Sequence, residues 1–132
     1  MGPRSIRPAG DMIEISVRNE VVTLVNVYRV RPGEQEALLD YLVKDVQEYF
    51  RLFPGFVSVS LHKSLDGTSV VNYAQWRSVD DFESMLRDPR TQTHLQGANE
   101  FADTEPHLYE VTYCENGARA PPSGITAGAG QP

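Results

Sequence analysis

Hydrophobic residues along the middle of the chain change their spacing in an order that permits few folds. Residues 21–31, 56–63 and 68–77 alternate and are rich in β-branched and aromatic side chains, which predicts strands. Within residues 34–53 the apolar residues instead recur with a helical period, which predicts a helix. A Pro-Gly pair after this segment ends the helix. An Asp-Gly pair between the second and third strands is typical of a hairpin turn.

The second half of the domain continues with another helix and another strand. Ser78 precedes Asp81 by three positions, which resembles a capping box and predicts the start of a helix. Pro89 interrupts that helix, and a helical piece is expected to resume over residues 91–101. Residues 107–114 predict a fourth strand.

The resulting order, β-α-β-β-α-β, predicts the α+β class and a ferredoxin-like fold, with a four-stranded antiparallel sheet and helices on one face. No third layer is available for the other face. Neither side of the first strand is charged, since one side carries valines and a threonine and the other carries Leu24, Asn26 and Tyr28. We therefore expect a homodimer in which two sheets meet as a dimeric α+β barrel.

The two termini differ from this domain in composition. Residues 1–18 are expected to form a flexible N-terminal tail. Residues 117–132, nearly all small residues and proline, are expected to form a disordered C-terminal tail. The folded domain is then residues 19–116, which is long enough for one hydrophobic core.

Charge and cysteine content argue against several classes of function. A net charge of −6 argues against nucleic acid as a partner, because nucleic acid requires a basic surface. No apolar run reaches the roughly 18 residues of a membrane helix, and the N-terminal arginines are not followed by the apolar stretch of a secretion signal. The single cysteine, Cys114, permits no internal disulfide, so we expect a cytoplasmic protein with no membrane partner.

The third predicted strand contains the clearest candidate site. Asn72 and Trp76 are four residues apart, so they share one face of the strand with Ala74 between them. At about 3.3 Å per residue they lie roughly 13 Å apart, about the length of a three- or four-ring aromatic. Asn26 adds a second carboxamide if the helix-covered side of the first strand joins this pocket. Such a set suits a flat ligand with carbonyl or phenol oxygens, although the same residue types also occur in ordinary cores.

Other catalytic chemistries lack the residues that they need. The three histidines, His62, His94 and His107, fall in separate elements without ligand spacing, so no metal is expected. There is no glycine-rich phosphate loop, and no serine has an evident histidine and acid partner. An enzyme of this sequence is therefore not expected to use nucleophilic or metal-hydrolase chemistry.

Three stretches together resemble the antibiotic biosynthesis monooxygenase family: VTLVNVYRVRPGEQEAL, FPGFVSVSLHKSLDGTSVVNYAQWRS and PHLYEVTY. The resemblance covers residues 20–113 and implies a dimeric ferredoxin-like α+β barrel. Its polyketide branch implies a cofactor-independent monooxygenase that oxidises an anthrone or phenol to a quinone with O₂, using no flavin, haem or metal. The matching functional residues, and thus the expected catalytic residues, are Asn26, Asn72 and Trp76.

The resemblance also suggests where the small aromatic substrate binds. Some family members use a tyrosine and an arginine around the second helix. Phe82 stands at the expected tyrosine position, and Arg87 and Arg90 are candidates for the arginine. The other expected walls of the pocket are apolar or aromatic: Leu24, Tyr28, Val70, Phe82, Met85 and Leu86.

Two alternatives stay open at this point. A haem-degrading branch of the same superfamily shares the strand asparagine and tryptophan but needs a histidine iron ligand on the second helix, where this chain has Leu86 and Arg87. Small ferredoxin-like dimers also serve as non-catalytic or cyclase-like proteins that bind polyketides.

Overall fold

The computed structural model describes residues 12–118. The expected tails at residues 1–18 and 117–132 therefore lie largely outside the described residues. The elements run in the predicted order, as strands β1 (Val22–Val30), β2 (Phe56–Lys63), β3 (Ser69–Trp76) and β4 (Ala102–Tyr109) and helices α1 (Gln35–Glu48), α2 (Val79–Arg87) and α3 (Pro89–Asn99).

The strands form one antiparallel sheet in the order β2-β3-β1-β4. The two strands with candidate site residues, β1 and β3, are thus neighbours at the centre of the sheet. This order is the ferredoxin-like topology, so the predicted α+β class and fold are confirmed. None of the helices in the described part of the chain is long and apolar enough to span a membrane.

The last strand differs from its predicted position. It spans Ala102–Tyr109 rather than residues 107–114, and Pro106 lies opposite Asn26 of β1. An edge strand tolerates a proline, because the missing N–H is not needed by a neighbour on the open side. The polar residues before Pro106 conceal the strand from a search for alternating hydrophobicity, which is why the prediction was wrong.

Turns and helix starts follow local sequence signals. Gly67 in the β2–β3 hairpin has a positive φ of 80°, as the Asp-Gly signal predicted. The Ser78 hydroxyl accepts a hydrogen bond from the Asp81 N–H at 3.1 Å and caps α2. Pro89 begins α3 instead of interrupting α2, since the first position of a helix needs no N–H donor.

The helices cover one face of the sheet, and the core beneath them has two parts. The first part packs under α1 and comprises Tyr28, Leu38, Leu39, Leu42, Val70, Ala98 and Ala102. The second packs under α2 and comprises Leu24, Ala74, Trp76, Phe82 and Met85. On β1 and β3 the positions between these two apolar clusters are occupied by asparagine, which places a polar belt across the covered face.

The opposite face of the sheet is less fully covered. Val25 pairs with Tyr73 and Val27 pairs with Val71, and all are half-buried. At one end of this face the Gln75 amide donates to the carbonyl of Glu14 at 2.9 Å. Glu14 thereby contacts the sheet, whereas the central valines have no described segment bonded across them.

Candidate active site

A cavity of about 400 Å³ lies between the sheet and the helices. This volume is within the range of roughly 300–1,000 Å³ that is usual for small-molecule sites. Its walls are mostly apolar and aromatic, and within residues 12–118 no lysine or arginine lines it. Asparagines in the polar belt provide its floor. The cavity therefore suits a neutral, largely apolar ligand.

Asn26 and Asn72 are direct partners in the antiparallel register of β1 and β3. Side chains opposite each other in such a pair have Cβ atoms about 5 Å apart. Both asparagines line the cavity, and Leu24 and Tyr28 flank Asn26 along the same face. The expectation that the two carboxamides converge on one pocket is thus met by the geometry.

Each carboxamide has a different set of partners. The Asn26 Oδ1 atom accepts a hydrogen bond from the Glu105 N–H of β4 at 3.2 Å, which leaves its NH₂ group for other acceptors. The Asn72 Oδ1 atom is buried without a partner in the described chain. A buried, unpaired carbonyl oxygen is unfavourable unless a ligand donates to it. The belt therefore carries NH₂ donors on both asparagines and one unpaired acceptor, the Oδ1 atom of Asn72.

Tyr28 lies beside this belt and is 4% exposed. Burial raises the pKa of the Tyr28 phenol to about 12, while hydrogen bonds with the side chains of Asn72 and Asn26 act in the opposite direction. The hydroxyl therefore keeps its proton at neutral pH and can serve as a donor.

Trp76 lies four residues beyond Asn72 on β3 and belongs to the apolar cluster under α2. Its ring makes edge-to-face contacts with Phe56 at 5.4 Å and with Phe82 at 5.9 Å between centroids. Trp76 is only 2% exposed. Phe82, at the position expected for a tyrosine, contributes packing and no hydroxyl.

The sequence analysis did not predict a hydrogen-bonded aspartate–histidine pair in the cavity wall. Asp45 on α1 and His94 on α3 meet with 2.7 Å between Oδ1 and Nδ1, and both line the cavity. Asp45 is 8% exposed and follows the buried Leu42 along the inward side of α1. The sequence did contain one signal of this pair, since Asp45 falls among the apolar residues on the inward side of α1. Its partner His94 could not be predicted, because the contact depends on how α1 packs beside α3.

Most of the expected substrate-binding residues line the cavity, and three do not. The five that line it are Leu24, Tyr28, Phe82, Met85 and Leu86. Val70 is fully buried in the core, because α1 covers that end of β3. Arg87 is exposed in the last turn of α2, and Arg90 is paired with Asp88 at 2.9 Å outside the cavity. The proposed arginine contribution from α2 and α3 therefore does not fit this geometry.

No group of three or more histidine, cysteine, aspartate or glutamate side chains within residues 12–118 is arranged to hold a metal ion. A haem-degrading relative needs a histidine on the second helix. This chain has Leu86, which lines the cavity, and the exposed Arg87 at that place. His94 lines the cavity from α3, but its Nδ1 atom is bonded to Asp45.

The fold and the site define a small ferredoxin-like α+β protein with a partly open, mostly apolar pocket crossed by neutral amides. The chain belongs to the antibiotic biosynthesis monooxygenase family, whose model matches residues 21–96. It is 45% identical over 102 residues to the tetracenomycin-F1 monooxygenase of Streptomyces glaucescens, covering 77% of this chain and 91% of that protein.

Two solved structures share the fold and more than a quarter of the aligned residues. SnoaB, a cofactor-independent oxygenase from Streptomyces nogalater, has a TM-score of 0.66 at 26% identity, covering 72% of this chain and 96% of that chain. The ActVA-Orf6 monooxygenase of Streptomyces coelicolor, solved with the ligand nanaomycin D, has a TM-score of 0.68 at 27% identity, covering 76% and 95% respectively. The predicted family and the predicted monooxygenase class are confirmed.

Proposed function

We propose that this protein oxidises an aromatic polyketide anthrone or phenol to a quinone, with O₂ as co-substrate and no bound cofactor. The observation that carries the proposal is the facing pair of Asn26 and Asn72 between two apolar clusters in the cavity. The similarity to a tetracenomycin-F1 monooxygenase and to a cofactor-independent oxygenase supports the same chemistry.

The site suits the recognition of a flat, oxygenated ring system. The apolar clusters under α1 and α2 contact the ring faces and edges, while the belt between them contacts the oxygens. The NH₂ group of Asn26 and the indole N–H of Trp76 donate to a carbonyl or enolate oxygen. The unpaired Oδ1 of Asn72 accepts from a ring hydroxyl. Neutral donors in a dry cavity stabilise a developing oxyanion more strongly than water-exposed ones do.

The oxidation proceeds through an oxyanion that this site stabilises. Removal of one methylene proton from an anthrone gives an enolate, which transfers one electron to O₂. The resulting radical pair forms a C–O bond and, after protonation, a hydroperoxide. Loss of the second methylene proton breaks the O–O bond, so that one oxygen atom becomes the carbonyl and the other leaves as water.

The open sheet face supports a homodimer as part of this proposal. Half-buried Val25, Val27, Val71 and Tyr73 form an apolar strip on that face. Packing two such strips would complete the covering of the sheet. Sedimentation velocity tests this, and Val71→Glu should shift a dimer towards monomer. A cytoplasmic location, consistent with the free and exposed Cys114, completes the proposal.

The direct test is oxygen-dependent turnover of a model anthrone. Metal-free protein is mixed anaerobically with dithranol, a dihydroxyanthrone, air is admitted, and quinone absorbance is followed against a buffer blank. We expect acceleration that is unaffected by chelator, with one atom of isotopically heavy O₂ appearing in the quinone. No acceleration would contradict the proposal.

The alternatives give different results in the same samples. Saturable quenching of the fluorescence of Trp76, the only tryptophan, without oxidation would indicate a binding or cyclase-like protein. A Soret shift on addition of hemin, followed by loss of the haem absorbance with a reductant, would indicate the haem-degrading branch.

A further inference from the structure

The inward side of α1 carries a carboxyl group where an apolar side chain would be expected. Asp45 is 8% exposed and lies one turn after Leu42, a member of the core. Burial raises the pKa of Asp45, and the hydrogen bond and charge of His94 act against that rise. A buried carboxylate is unfavourable without a partner, so the hydrogen bond to His94 compensates for its position.

Several contacts hold the His94 ring in one orientation. The ring stacks on Tyr49 with 3.9 Å between centroids and 15° between planes. Phe50 meets it edge-on at 5.8 Å. The His94 backbone carbonyl accepts a hydrogen bond from the Tyr41 hydroxyl at 2.7 Å. With Nδ1 bonded to Asp45, three side chains contact the ring, and Tyr41 holds the backbone beside it.

This arrangement leaves the second ring nitrogen available. When the carboxyl of Asp45 is ionised, it accepts from Nδ1–H of a neutral imidazole, and the lone pair then resides on Nε2. No hydrogen bond to Nε2 of His94 occurs within residues 12–118, and the residue lines the cavity. An oriented imidazole with an unoccupied acceptor nitrogen beside a ligand pocket has the features of a general base.

We propose that His94 is the proton-transfer residue of the oxygenase reaction and that Asp45 is its positioning residue; this rests on the function proposed above. Nε2 takes the first methylene proton of the anthrone as the enolate forms. It returns that proton to the distal oxygen of the peroxide. It then takes the second methylene proton while the O–O bond breaks and hydroxide departs, and it protonates the hydroxide to water.

Other groups in the cavity suit this role less well. The Tyr28 phenol, with its pKa raised to about 12, holds its proton and cannot act as a base at neutral pH. His107 lies on the exposed edge strand, and its Nε2 atom contacts Glu105 at 3.4 Å. Asn26 and Asn72 are neutral and do not accept a full proton.

The pH dependence of the pair involves groups from every surrounding element. Asp45 interacts with Glu48 and Lys44 on α1 and influences Tyr28 on β1. Arg90 on α3 lies 5.4 Å from the centre of the Tyr49 ring, on which His94 stacks. Tyr41 contacts His94 through its carbonyl, and His107 lines the same cavity from β4.

The test compares His94→Asn with the control Thr93→Asn. An asparagine amide can still donate to Asp45 from the position of Nδ1 but cannot accept the substrate proton. Thr93 is exposed on the same helix and does not line the cavity. We expect His94→Asn to lower kcat by about 10²–10⁴-fold, as is typical for loss of a general base, while quenching of Trp76 by the quinone product is retained. Thr93→Asn should behave as wild type.

The pH profile separates proton transfer from a purely structural effect. Wild-type kcat should rise through one inflection between about pH 5 and pH 8. The residual rate of His94→Asn should lack that inflection and rise with pH as the substrate ionises by itself. Asp45→Asn should lower kcat more than it changes KM, because the imidazole loses the carboxylate that fixes its orientation, and Asp45→Glu should restore part of kcat.

The possible outcomes distinguish this proposal from the function on which it rests. Failure of the wild-type protein to oxidise dithranol would overturn the proposed function. Oxidation by the wild type with unchanged kcat and pH profile in His94→Asn would overturn only the role of His94. If the variants do not fold, the wild type alone still tests the role of His94. A kcat that does not change between about pH 5 and pH 8 would overturn that role.

Discussion

The carboxamides of Asn26 and Asn72 lie opposite each other on β1 and β3, and their oxygens are in different states. The Asn26 oxygen is bonded to the Glu105 N–H at 3.2 Å, whereas the Asn72 oxygen is buried and unpaired. One amide therefore stabilises the fold through β4, and the other leaves an acceptor that a ligand can use. This asymmetry leads to different expectations for two equivalent substitutions.

Asn72→Leu should lower activity with little change in stability. It removes a buried, unpaired oxygen, which offsets the loss of the Asn72 contact with Tyr28, so the free energy of unfolding should change by less than about 1 kcal/mol. Asn26→Leu, the matched change, leaves the Glu105 N–H without its acceptor and should lower that free energy by about 1 kcal/mol. Urea unfolding of both variants, with the dithranol assay, measures the difference. Equal destabilisation would contradict the assignment of the two oxygens.

Trp76→Phe should distinguish the contribution of the indole N–H to catalysis from the contribution of ring packing to stability. A phenyl ring keeps much of the edge-to-face contact with Phe56 and Phe82. The loss in unfolding free energy should be about 1–2 kcal/mol, less than for complete truncation of such a side chain. Loss of one oxyanion donor should lower kcat by about 10²-fold. Full turnover by Trp76→Phe would show that the N–H has no part in catalysis.

Tyr28 should titrate later than an ordinary tyrosine. Subtracting the ultraviolet titration curve of Tyr28→Phe from that of the wild type should give a phenolate transition near pH 12 rather than near pH 10. Since the folded-state pKa is raised, the folded protein holds this proton more tightly than the unfolded chain does. The associated stability is present below about pH 10 and is lost as the pH rises towards 12. A difference curve centred near pH 10 would contradict the burial of this hydroxyl.

Gly97→Ala should destabilise the protein although it improves helix propensity. A Cβ atom at this position of α3 would overlap the Tyr41 hydroxyl oxygen and lie 2.6 Å from the ring carbon that carries it. Relief of this clash requires Tyr41 or α3 to shift, and overpacking of this kind lowers the free energy of unfolding by about 1–3 kcal/mol.

The expected functional result of Gly97→Ala is a higher KM, because His94 and other cavity residues are on the same helix. Thr93→Ala, an exposed change on α3, is the control and should be neutral or slightly stabilising. Thermal unfolding and steady-state kinetics check both variants. A Gly97→Ala protein as stable as the control would argue against the close approach of α1 and α3.

Much of the fold could be predicted because its signals are local. The order of elements, the Asp-Gly hairpin and the Ser78 cap each depend on residues within a few positions of one another. The shared face of Asn72 and Trp76 followed from strand geometry alone. The beginning of β4 was missed, because its residues are polar and the strand is defined by pairing with β1 rather than by its own pattern.

The sequence by itself determined which residue types are available to the site and on which face of each strand they lie, since alternation along a strand is a local property. Only the tertiary structure decided that Asn26 faces Asn72, that β4 binds one of the two amides, and that Asp45 meets His94. Those relationships depend on strand register and on how α1 packs beside α3. Both are set by the burial of the whole apolar surface, which no short stretch of residues encodes.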